Sequence, residues 1–66
     1  MSKETIRKAN DAKQFIKKAG DYTKEAKEIF KKIGDSEGER HASEIEKKID
    51  EGYKYVEKRL GGAQEN

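Results

Sequence analysis

The sequence predicts an all-α fold: a three-helix up-down-up bundle with a long third helix. Three observations predict it. Apolar residues recur at helical spacing in three stripes, helix-stop and helix-cap residues separate the stripes, and no strand-like alternation competes with them.

The first stripe runs Ile6, Ala9, Ala12, Phe15, Ile16 and Ala19. Ser2 is placed to cap its start, and Lys17 and Lys18 fall in its last turn, where cations complement the helix dipole. Gly20 suits the left-handed position that closes a helix, and Asp21 suits the cap of the next. The second stripe is Tyr22, Ala26, Ile29, Phe30 and Ile33, with Gly34 as its stop. Ser36-Glu37-Gly38-Glu39 has the capping-box pattern, in which a hydroxyl and a carboxylate satisfy each other's free backbone N–H groups. The third stripe follows as Ala42, Ile45, Ile49, Gly52/Tyr53, Val56 and Leu60. It begins acidic and ends on Lys58 and Arg59, and Gly61-Gly62 is the expected stop. A single domain over 1–62 with a frayed tail over 63–66 is the resulting organisation.

At 1.5 Å per residue the three helices span about 25, 17 and 36 Å, so the third overhangs the first by roughly 15–20 Å. Residues from Ile49 onward then lack neighbours, and Tyr53, Val56 and Leu60 are their apolar members. Gly52 lies on that stripe. A glycine inside a helix costs roughly 1 kcal/mol relative to alanine. Either another backbone approaches it closely, or the helix breaks there with Asp50 as a new cap.

A second fold removes the overhang. If the chain continues through Gly20 as one helix over roughly 4–33, then Ala9, Ala12, Ile16, Ala19, Thr23, Ala26, Phe30 and Ile33 form a heptad series. Ala42, Ile45, Ile49, Gly52 and Val56 continue it after a turn at Gly34-Asp35. Such a hairpin has too little partner surface to bury its seam alone and dimerises into a four-helix bundle. Gly20 followed by Asp21 favours the break, and so the three-helix form.

Composition sets the class. Sixty-six residues hold one domain, and 45% of them are charged. No stretch is long and apolar enough to span a membrane, and Met1-Ser2-Lys3-Glu4 lacks the apolar core of a signal peptide. A cytoplasmic protein is the expectation. With no Cys, disulfides and thiolate metal sites are excluded. Charge is uneven: residues 1–20 carry six basic and two acidic groups, 21–34 four and three, and 35–66 six and nine. The basic first helix and the acidic last segment attract one another in the bundle. The absence of Pro and Cys, the many Lys and Glu and the regular caps also suit a designed or selected helical bundle with no biological function.

Three resemblances follow from these residues. Ala12, Ile16, Gly20, Asp21, Tyr22, Ala26, Phe30 and Ile33 resemble the anchors of a single tetratricopeptide repeat. Such a hairpin followed by one long helix is similar in architecture to microtubule-interacting and trafficking domains, which implies binding of short helical peptides. The hairpin alternative resembles the Rop-type plasmid RNA-binding proteins. Lys3, Asn10 and Phe15, with Glu51-Gly52-Tyr53, Arg59 and Gly61, carry that likeness, which implies a dimer with a basic first-helix face.

The expected function is a non-catalytic protein–protein interaction or self-association module. Ile49, Tyr53, Tyr55, Val56 and Leu60 are its partner-binding residues, and the partner is another helical segment or a second copy. The alternative is an RNA- or DNA-binding dimer using Lys3, Arg7, Lys17 and Lys18. His41 with Glu37 and Glu44 is a poor metal set, and no nucleophile–base or paired-carboxylate arrangement stands in a recognisable setting. No catalytic residue, metal, cofactor or small-molecule substrate is therefore expected.

Overall fold

The computed structural model describes residues 2–65, with side chains over 2–61. Two helices of 30 residues each make up the fold: α1, Lys3–Lys32, and α2, Ser36–Glu65. They lie antiparallel as a hairpin, in a rod with extents of 49 × 15 × 11 Å. The all-α expectation holds. The three-helix arrangement does not form, because the break at Gly20-Asp21 is absent.

The continuity of α1 has a packing reason. Gly20 faces α2, and a Cβ placed there would stand 3.4 Å from Ile49 Cγ2. The missing side chain lets Ile49 approach, so Gly20 serves the seam from inside a helix instead of ending one. Thr23, three residues on, turns its hydroxyl back to donate to the Ala19 carbonyl at 2.7 Å.

Both starts are capped. The Ser2 Oγ accepts from the Thr5 backbone N–H at 3.1 Å. Asp35, rather than Ser36, caps α2: its Oδ1 accepts from the Gly38 N–H at 2.9 Å. The turn is short because Gly34 takes φ +75°, the left-handed conformation open to glycine. The Asp35 N–H then reaches back to the Phe30 carbonyl at 2.9 Å, satisfying an end of α1 that would otherwise be orphaned. The helix runs through Gly61 and Gly62 to Glu65, past the expected stop, and Asn66 of the expected tail lies outside the described residues.

The seam is a heptad pattern rotated by one residue from the expected series. On α1 the half-buried positions include Ile6, Ala9, Lys13, Ile16, Gly20, Thr23, Lys27 and Phe30, while Ala12, Ala19 and Ile33 are exposed. Lys13 and Lys27 belong there because their alkyl stems cover apolar surface while their ammonium groups reach carboxylates on α2. Lys13 Nζ lies 3.6 Å from Glu57 Oε2 and Lys27 Nζ 3.2 Å from Glu46 Oε1. Near the turn, Phe30 fills the space that a side chain on Gly38 would need. Among the described residues only Ala42 and Leu60 are buried, each 3% exposed, so this part of the hairpin has almost no sealed interior.

Candidate functional site

The two helices leave two long grooves, and these differ in chemistry. One is lined by Lys17, Asp21, Lys24, Glu46, Asp50 and Tyr53, and carries the interhelical ion pairs. Lys13 Nζ also lies 5.2 Å from the centre of the Tyr53 ring, which adds a cation–π contact to this side. The other groove is floored by Ile16, Ala19, Ile45, Ile49 and Gly52, with His41, Glu44, Lys48 and Glu51 along its edge.

The apolar groove continues outward over α1. Phe15, Tyr22, Ile29 and Ile33 are 68, 71, 58 and 68% exposed, and Ile45 and Tyr55 of α2 are exposed as well. Phe15, Tyr22 and Ile29 recur every seventh residue, as do Ala12, Ala19 and Ala26, so large and small side chains alternate along one stripe. Two features at its edge soften its polarity. The Lys18 ammonium sits 5.5 Å from the Phe15 ring centre, and the Arg59 guanidinium 5.9 Å from that of Tyr55. An apolar face of this extent is unusual on a small protein.

The partner residues expected from sequence occupy a different place. The overhang that singled them out does not form, because α1 and α2 have equal length. Leu60 is buried, and Ile49, Tyr53 and Val56 are half-buried along the seam. Of the five, Tyr55 alone stands exposed. A three-helix core would bury Phe15, Tyr22, Ile29 and Ile33; without a third helix they stand exposed on α1. Their spacing of seven, at 15, 22 and 29, was the available signal.

Gly52 takes part in no close contact within the hairpin. Nothing lies within 4 Å of a Cβ built on it, and α2 passes through it unbroken. The helix thus bears the cost of an interior glycine without a use for it inside one chain.

The basic residues Lys3, Arg7, Lys17 and Lys18 are all exposed, and among the described residues none of them forms an ion pair. They do not form one continuous face: Lys18 borders the apolar stripe beside Phe15, and Lys17 lines the charged groove. Around His41 the carboxylates are already engaged. Arg40 donates to Glu37 Oε2 at 2.9 Å and to Glu44 Oε1 at 2.8 Å. The hydrogen bond to Glu37 and then the charge of Glu44 raise the Arg40 pKa above its ordinary value. Among the described residues no group of three His, Asp or Glu side chains could hold a metal ion. Nor is any helix among them long and apolar enough to cross a membrane.

No family model matches the chain, and no curated protein or solved structure is detectably similar to it.

Proposed function

We propose that the chain is a non-catalytic self-association module whose hairpins pair through the apolar face into a four-helix bundle. The observation that carries this reading is the exposure of Phe15, Tyr22, Ile29 and Ile33 along one side of a hairpin in which, among the described residues, only Ala42 and Leu60 are buried. A helix pair with so little interior stabilises itself poorly, and burying each large apolar side chain contributes about 1.5–3 kcal/mol. Pairing supplies that burial.

Surface area supports the same reading. The hairpin exposes 5377 Å². A compact monomer of its mass exposes about 4,300 Å², so the excess is about 1,100 Å². A stable interface removes about 800 Å² from each partner, which the excess comfortably supplies.

Sedimentation or light scattering over a concentration series tests the proposal. The expected mass is twice the 7.6 kDa of one chain. A fully helical species of single-chain mass at every concentration overturns it.

A second reading, nucleic-acid binding by the dimer, draws on the exposed Lys3, Arg7, Lys17 and Lys18. It requires binding to RNA or DNA that weakens steeply with salt and that loses strength when these four are replaced by Gln.

A further inference from the structure

We infer that the occupant of the apolar face is a second copy of this chain in one defined orientation: turns at opposite ends, α1 lying antiparallel on α1 of the partner subunit, and α2 on its α2. This rests on the self-association reading and adds to it an orientation and a register.

The register comes first from α1. Small residues stand at Ala12, Ala19 and Ala26, and large ones at Phe15, Tyr22 and Ile29. When two such stripes run antiparallel, one setting places every large side chain over a small one. Ala19 then meets Tyr22 of the partner subunit, Phe15 meets the partner's Ala26, and Ala12 meets the partner's Ile29. The two-fold axis of that setting passes level with the peptide between Gly20 and Asp21. Small residues at every seventh position let the helices approach, and the large ones fill the spaces between.

The second helix requires the same axis independently. Within the hairpin, Gly20 stands against Ile49, so the level of Gly20-Asp21 on α1 is that of Lys48-Ile49 on α2. Rotation about an axis at that level carries Gly52 of the partner subunit opposite Ile45. Ile45 is an exposed large residue, and Gly52 is a mid-helix glycine with open space where its Cβ would be. The pair repeats the large-over-small pattern of α1 and gives Gly52 a role that the single hairpin lacks.

The opposite choice, with both turns at one end, lays α1 on α2 of the partner. In that arrangement Tyr22 falls level with Lys47 and Ile29 with Arg40, and the groove-edge residues next to those levels are the polar Lys48 and His41. The stripe of α1 would then meet charge where the first arrangement gives it alanine.

Because the chain has no cysteine, disulfide mapping reads the orientation directly. Two variants, Ala12→Cys and Ile29→Cys, are prepared separately and mixed in a glutathione redox buffer. In the inferred dimer each position lies about 25 Å along the axis from its own copy, at 1.5 Å per residue, so neither variant links to itself. The mixture is expected to yield a disulfide-linked heterodimer well above the level either variant gives alone. Linkage of Ile29→Cys to His41→Cys instead, or no linkage on α1 while the parent chain weighs as a dimer, overturns the orientation and leaves self-association standing. A parent chain of single-chain mass overturns both. Gly52→Ala gives an independent readout that does not depend on oxidation. The added methyl should raise the dimer dissociation constant roughly tenfold with helicity retained. An unchanged or tighter dimer overturns the contact of Ile45 with Gly52 of the partner subunit.

Discussion

The two grooves of this hairpin are built from the same pair of helices and hold them together by different means. On one side Lys13 and Lys27 reach across to Glu57 and Glu46. On the other, Ile16, Ala19, Ile45 and Ile49 floor a channel that widens onto Phe15, Tyr22 and Ile29. On the charged side two pairs of opposite sign already span the helices within one chain. The apolar side is not complete, because exposed aromatic and branched side chains gain nothing until something excludes water from them. The difference is that α1 turns one face to α2 and leaves a second apolar face exposed, the face proposed above to pair with another copy.

Substitutions that strike one side at a time separate these roles. The largest effect is expected from Tyr22→Lys with Ile29→Lys. Each site forfeits about 1.5–3 kcal/mol of burial in every protomer. The prediction is a species of single-chain mass by sedimentation, with a melting transition that is lower and broader than the parent's. Retention of the parent's mass and melting curve would show the apolar side to be bare in solution. Leu60→Ala comes next and strikes the seam that both grooves share. Truncating this buried side chain is expected to cost about 2–3 kcal/mol by urea unfolding, near the lower end for such changes because the surrounding rod can relax. Gly34→Ala forces a side chain into the left-handed region at the turn and is expected to cost about 1–2 kcal/mol in the same measurement. The smallest effect belongs to the charged side. Lys27→Ala should lower stability by less than about 1 kcal/mol, and by less still in high salt, since the pair is partly solvated. A loss as large as that of the Tyr22 and Ile29 change would reverse the ranking of the two sides.

Much of this was legible in the sequence. Ser2 as a cap, Gly34 as a stop and the helical stripes are local signals, each read from a few neighbouring residues, and they hold. The hairpin itself was visible as a heptad series running through Gly20. Two readings went astray for the same reason. Gly20-Asp21 has the residues of a helix end, but Gly20 is needed where Ile49 presses on the seam, and that contact is between residues far apart in sequence. The seam likewise turned by one position because Lys13 and Lys27 can lay their stems against α2 and still reach Glu57 and Glu46. Local composition counts such lysines as solvent-facing. Once the break at Gly20 was assumed, unequal helix lengths followed, and with them an overhang exposing Tyr53, Val56 and Leu60, which instead lie half-buried or buried along the seam. Asp35 taking the cap from Ser36 is a shift of one residue between two competent side chains.

The position of Leu60 bears on how the hairpin closes. The tight turn at Gly34 joins neighbours at small cost in chain entropy, and contact can spread from there one heptad at a time towards the free ends. Pairs at the far end close the longest loop and open most readily, so the rod frays from that end. Leu60, the one large side chain buried among the described residues, sits there instead of in the middle. It acts as a clasp at the end of a zipper: the step with least help from its neighbours is the one with the deepest apolar contact, and its truncation should speed opening far more than it slows closing.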